Sequence, residues 1–311
     1  MNRRDTTLML VVVLCWGLNF VAIDLGRGDV PPLLFLAIRF VVVLLPVLWL
    51  PKPDVSWRTL ALVGGFMSVG QFGFLYVSMA AGLPAGLAAL VLQAQVLFTT
   101  AIAALVLRET PSRLQVVGMV VGAAGLAVVA LGRGGGVPLA ALLLCVLGAL
   151  SWGIGNVVSR AAKVPGGLSL TVWSATVVPL PVLALSWLLE GTDGIVDGLQ
   201  AFGWAAALST LYTAALASWV GYGIFNSLLA RNPAASVVPW ILLVPPVAML
   251  GTWAARGAVP TAGEVAGGVL LVAGALLAMR GGRRATAAPA PRPAEAVPDE
   301  VAPDEALPAR S

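Results

Sequence analysis

The sequence predicts an all-α integral membrane protein: ten transmembrane helices arranged as two inverted five-helix repeats. Three observations carry this. The 311-residue chain is 59% hydrophobic and 10% charged, with a mean hydropathy of +0.96, whereas a soluble domain holds about 25% charged residues. Its apolar residues gather into long segments parted by short turns, with basic residues concentrated in alternate turns. Landmarks of the first half also recur in the second.

The segments run over about 6–25, 33–50, 59–81, 84–107, 114–131, 138–159, 169–189, 203–229, 233–255 and 262–280. About 20 apolar residues at ~1.5 Å each cross the hydrocarbon core. The first segment follows a basic start but ends at Asp24-Leu25-Gly26, not at a small-x-small cleavage site. It therefore reads as a span rather than a cleaved signal. The fourth opens with Pro84 in its first turn, where the missing N–H costs nothing. Gly82, Ala85, Gly86, Ala88 and Ala89 would admit a close neighbour. Pro179 and Pro181 interrupt the seventh span; Pro239, Pro245 and Pro246 interrupt the ninth. Broken membrane helices are tolerated where they line a cavity.

With the N-terminus inside, the inner turns hold Arg3, Arg4, Lys52, Arg58, Arg108, Arg113, Arg160, Lys163, Arg231, Arg280, Arg283 and Arg284, which is 12 basic residues. The outer turns hold three, Arg27, Arg133 and Arg256, and the acidic stretch Glu190, Asp193 and Asp197. This bias places both termini in the cytoplasm. Cys15-Trp16-Gly17-Leu18-Asn19 recurs as Ser151-Trp152-Gly153-Ile154-Gly155-Asn156. A shift of 149 pairs Pro84 with Pro233, Pro111 with Pro260, Gly118 with Gly267 and Gly125 with Gly274. Copies with an odd number of spans lie in opposite orientations, an architecture that places a site between them. The expected units are 1–137, 138–281 and an Ala/Pro-rich tail, 282–311, which cannot bury a core and is expected to be disordered.

The polar residues inside spans are the candidate site. Trp16 and Asn19 share a face of the first span, and Trp152 and Asn156 a face of the sixth. Each asparagine either lines a cavity or holds helices together. Gln93 and Gln95 lie about 200° apart on a helix, so one is expected to line a cavity and the other to bond a neighbouring helix. Arg39 is the one basic residue well inside a span. It either pairs with Asp24, grips a substrate carboxylate, or snorkels to the headgroups. Gln71, Tyr76, Trp173, Tyr212, Trp219, Tyr222 and Trp240 are the remaining candidates for a cavity wall, against the alternative of an interfacial belt. Glu264, the counterpart of Gln115 in the first copy, is placed to complement the start of the last span.

Pro84 to Gln95, Cys15-Trp16-Gly17-Leu18-Asn19-Phe20 and Arg39-Phe40 together closely resemble the EamA family of the drug/metabolite transporter superfamily, nearest the exporters of O-acetylserine and cysteine. The resemblance spans residues 8–279. It implies a bacterial inner-membrane secondary transporter exporting small amino acids or their metabolites. It also implies a movable ninth span. Protons are a candidate coupling ion with Asp24 the candidate carrier, and because the spans hold few acids, facilitated diffusion stays open. Glu109 resembles the acidic residue that family members carry after the fourth span. The alternatives are an exporter or facilitator of other metabolites or drugs, and a non-transporting membrane scaffold. No histidine is present, Gly132-Arg133-Gly134-Gly135-Gly136 lacks the Lys-Ser/Thr of a phosphate-binding loop, and no nucleophile–base pair is evident. No enzyme, metal, cofactor or nucleic-acid partner is expected. Lipid and a small-molecule substrate are.

Overall fold

The computed structural model describes residues 3–108, 110–132, 136–162, 167–232 and 237–286. The described elements are helical throughout. We number them α1 (Arg3–Arg27), α2 (Pro32–Val43), α3 (Trp57–Ala80), α4 (Ala85–Val106), α5 (Arg113–Gly132), α6 (Leu139–Ala161), α7 (Leu168–Val177) and α8 (Pro179–Gln200). Helix α9 joins Trp204–Leu211 to Gly221–Arg231 through a π-helical stretch, Tyr212–Val220. Helix α10 is Val244–Arg256, preceded by a 3-10 segment Val238–Leu243, and α11 is Ala262–Thr286.

Six of these helices are long and apolar enough to cross a membrane unaided. The count is seven if α7 and α8, bent by 42° at Val178, form one span. Of the other expected spans, the second and ninth are shorter pieces and the eighth is α9. Helix α2 stops at Val43 and continues as a 3-10 turn, Leu45–Leu48, where Pro46 cannot donate a helical bond. The ninth expected span is interrupted where Pro239, Pro245 and Pro246 fall. The stretch 190–198, expected as a turn, is helical on either side of a kink at Gly191, whose φ of +76° only glycine adopts freely. Helix α11 continues to Thr286, past the expected boundary at 281. Residues 287–311, and with them most of the expected tail, lie outside the described residues, as do Glu109, Arg133, Lys163 and Pro233.

The irregularities repeat as the sequence does. The π-helical turn Gly65–Gly70 in α3 falls, by the shift of 149, inside the π-helical stretch of α9. A 3-10 break at Leu92–Ala94 in α4 falls inside the one before α10. Helices α5 and α11 both start with a capping box. Ser112 N donates to Gln115 Oε1 at 2.8 Å and Gln115 N to Ser112 Oγ at 3.2 Å. Thr261 N donates to Glu264 Oε2 at 2.8 Å and Glu264 N to Thr261 Oγ1 at 3.1 Å. Glu264 thus does what its position predicts.

Helices α5 and α11 pack against each other through glycines. A Cβ on Gly118 would lie 2.6 Å from Gly274 O, and one on Gly125 would lie 2.7 Å from Gly267 O. As α5 advances, its partner recedes, so the two run antiparallel. The two contacts exchange under the repeat shift. Small residues let backbones approach this closely where lipid offers no hydrophobic drive to association.

Helix α1 is tied to the second half at both ends. At its start Asp5 accepts from Asn232 Nδ2 at 3.1 Å and meets Arg231 at 3.4 Å. At its end Asp24 meets Arg256 Nε at 2.9 Å. Near that same end Glu190 accepts the backbone N–H groups of Leu33 and Leu34, at 2.7 and 3.1 Å, completing the N-terminus of α2.

Candidate functional site: a central cavity where two broken helices meet

The 3-10 breaks of the two halves touch. Gln93 sits in one, and its Nε2 donates to Ile241 O, in the other, at 3.1 Å. Beside this contact lies a cavity of about 60 Å³. It is lined by Trp16, Asn19, Phe20, Arg39, Gln71, Phe72, Ala89, Leu92, Gln93, Trp152, Ala217, Tyr222, Ile241 and Val244. The lining draws on α1, α2, α3, α4 and α6, and on α9 and the broken entry to α10. No carboxylate is among these residues.

Each wall has a local reason. Trp16 is held by its indole N–H, which donates to Ala217 O at 2.9 Å, and its ring meets Tyr222 at 5.0 Å and Phe225 at 5.2 Å. Ala217 lies in the π-helical stretch of α9. One helical turn on from Trp16, Asn19 is 6% exposed, and its Oδ1 has no hydrogen-bond partner among the described residues. Arg39 is 3% exposed. Its Nη1 donates to Tyr76 Oη at 3.2 Å and its Nη2 to Ser218 Oγ at 3.4 Å, while Nε has no partner among the described residues. The guanidinium carbon lies 4.3 Å from the centre of the Phe72 ring, a cation–π distance.

Arg39 does not pair with Asp24. It lies seven residues into α2, about 10 Å along the axis, whereas Asp24 ends α1 beside Arg256. Arg256 Nη2 also reaches Asp24 O at 3.2 Å. The coupling candidate thus sits in a half-exposed ion pair at one end of the bundle and does not line the cavity.

Of the two amides, Gln93 lines the cavity. Gln95 instead accepts from Asn156 Nδ2 at 3.0 Å, and Asn156 also reaches Thr99 Oγ1 at 3.2 Å, stapling α4 to α6. Trp16, Asn19, Arg39, Gln71, Gln93, Trp152 and Tyr222 therefore converge on one cavity. Asn156 and Gln95 work beside it. Tyr76 stands behind Arg39, fully buried. Trp173 donates to Leu50 O at 3.0 Å and meets Trp57 edge-on, away from the cavity. Trp219 donates to Val43 O at 3.2 Å. Tyr212 donates to Cys15 O at 3.2 Å and faces a shallow side groove with Ala22, Gly26 and Ser209. Trp240 packs beside the small cluster of Met9, Val12 and Val13.

A second cavity of about 70 Å³ adjoins the first through three shared walls, Arg39, Phe72 and Tyr222. It continues past Val43, Val63, Met67 and Ser174, towards the end of the bundle where α2 stops and α3 and α7 begin. Towards the other end Phe35 stacks on Tyr76 at 5.9 Å and on Phe202 at 6.4 Å. Sequence reasoning missed Phe20, Phe72, Ala217 and Ile241, because an apolar residue reads the same whether it faces a cavity, a neighbour or lipid. It also missed Ser218, whose hydroxyl was one of many in that segment.

Comparison with known proteins agrees with this architecture. The chain matches the EamA-like transporter family twice, over residues 6–131 and 139–280, one match per half. It is 39% identical over 281 residues to a probable amino-acid metabolite efflux pump of Salmonella typhimurium, covering 88% of this chain and 94% of that one. A protein of the same description from Escherichia coli is 35% identical, over 80% and 86% of the two chains. A probable terminal-alkyne amino-acid exporter of Streptantibioticus cattleyicolor is 29% identical, over 67% and 70%. A crystal structure superposes with a TM-score of 0.60 at 20% identity, covering 91% of this chain and 99% of its own, which establishes a shared fold. With both halves matched and relatives alike over most of their length, this multi-pass membrane protein belongs to the EamA-like transporter family.

Proposed function

We propose that the protein is a secondary transporter that exports small neutral amino acids or their metabolites across the bacterial plasma membrane by alternating access. The observation that carries this reading is the central cavity itself: buried, acid-free, walled by aromatic rings and amides, and placed where the broken helices of both halves touch. Broken helices meeting at such a site are how many transporters bind a polar solute in mid-membrane. The relatives' descriptions as amino-acid metabolite efflux pumps and an amino-acid exporter supply the solute class.

In this reading the shorter pieces also cross the bilayer, giving ten spans in two inverted sets of five. The antiparallel, exchange-symmetric contact of α5 with α11 supports the inversion. The 12-to-3 distribution of basic residues supports cytoplasmic termini. The second cavity then opens the first towards the cytoplasm, while Phe35, Tyr76 and Phe202 close the outer side. Loading occurs from within, and release follows when the halves rock about the Gln93–Ile241 contact. Asp24, the candidate proton carrier read from the sequence, stands outside the cavity beside Arg256.

Reconstitution tests this. Liposomes holding the purified protein should exchange a preloaded neutral amino acid faster than protein-free liposomes. A pH gradient should change the net flux only if protons are coupled. Exchange of cationic drugs but of no amino acid would overturn the reading, and an inert protein would favour a scaffold.

A further inference from the structure

We propose that the substrate's carboxylate is the missing counter-ion of Arg39, and that Asn19 Oδ1 receives the substrate's ammonium. This rests on the transport reading and names what the cavity selects: an α-amino acid whose amino and carboxyl groups are both free.

Arg39 is buried, permanently charged and provided with only neutral partners, Tyr76 and Ser218. Among the described residues no carboxylate lies within ion-pair distance of it; Asp5 and Asp24 are taken by Arg231 and Arg256. A cation held this deep without an anion is costly in a membrane. Three buried side-chain polar atoms lack a hydrogen-bond partner among the described residues, and two of them, Arg39 Nε and Asn19 Oδ1, belong to residues lining this one cavity. One is a donor bearing positive charge and the other an acceptor. A zwitterion supplies the complement of both. The cation–π contact with Phe72 steadies the empty guanidinium without neutralising it. A solute carrying only positive charge meets Arg39 with no acid in the wall to offset it.

Binding to the purified full-length chain in nanodiscs tests this. Alanine, serine, threonine, leucine and phenylalanine are titrated first. The tightest binder is then compared with its carboxamide, which lacks the anion, and with its N-acetyl derivative, which lacks the cation. The carboxamide should bind about tenfold to a hundredfold more weakly, the worth of a charge-assisted contact. The N-acetyl form should also weaken, and Asn19→Ser should shrink that penalty. Arg39→Met should fold with thermal stability equal to or above that of the natural chain, because an unpaired buried charge is removed, and should bind acid and carboxamide alike. Should Arg39→Met not fold, Arg39→Lys and the comparison on the natural chain still decide. Equal affinity for acid and carboxamide in the natural chain overturns the inference, whatever the variants do. If that equal pair is also exchanged in liposomes, the transport reading stands and only the inference falls. If no zwitterion binds or moves, both fall.

Discussion

Two glutamines two positions apart have separate jobs. Gln93 bridges the breaks of the two halves and lines the cavity, while Gln95 holds Asn156. Gln93→Leu should therefore impair export in a folded protein. Gln95→Leu should chiefly lower stability, by about 1–2 kcal/mol, the upper range for a hydrogen bond between membrane helices. Export normalised to folded protein in the membrane, with thermal unfolding of each variant, separates the two effects. Asp24 and Arg39 are likewise independent, so the effects of Asp24→Ala and Arg39→Met on stability should add. Asp24→Ala alone should cost no more than about 1 kcal/mol, since its ion pair with Arg256 is half exposed. Residues of this kind were legible because a polar side chain in an apolar run must find a partner or a cavity. Which of the two it finds was not legible, since helical spacing gives relative directions and not the neighbours.

At the scale of elements, the breaks were only partly readable. The ninth span's interruption could be seen in Pro239, Pro245 and Pro246. Its counterpart at Leu92–Ala94 has neither proline nor glycine and looked like continuous helix. There Gln93 meets a carbonyl of the other half. The π-helical stretches of α3 and α9 also leave no compositional mark. The paired glycines, by contrast, announced themselves through the repeat. Gly118→Leu should force α5 from α11, where even an added Cβ would run into the Ala278 backbone N. Overpacking of this sort costs about 1–3 kcal/mol or more, read as reduced folded yield. A leucine at the distant Gly223, which has open space around its Cβ, should cost far less. Thr261→Ala removes one half of a capping box and should cost about 1 kcal/mol.

At the scale of the whole molecule, duplication, orientation and path belong together. Duplication was legible from a constant shift and the fold displays it in repeated caps, breaks and glycine contacts. The span count was harder to read, because hydropathy does not distinguish one bent span from two shorter helices. The path from the cavity past Phe72 and Tyr222 towards Val43 and Ser174 was invisible in sequence, being made of residues from four helices. Its function can be read directly from Ala217, which lines the cavity and offers a small site for a probe. In a chain with Cys15 and Cys145 replaced by serine, Ala217→Cys should react with a membrane-impermeant thiol reagent applied from the cytoplasmic side. A transported amino acid should slow that reaction. Labelling that is confined to the outer face, or that is indifferent to every transported solute, would contradict the assignment of this cavity as the substrate's path.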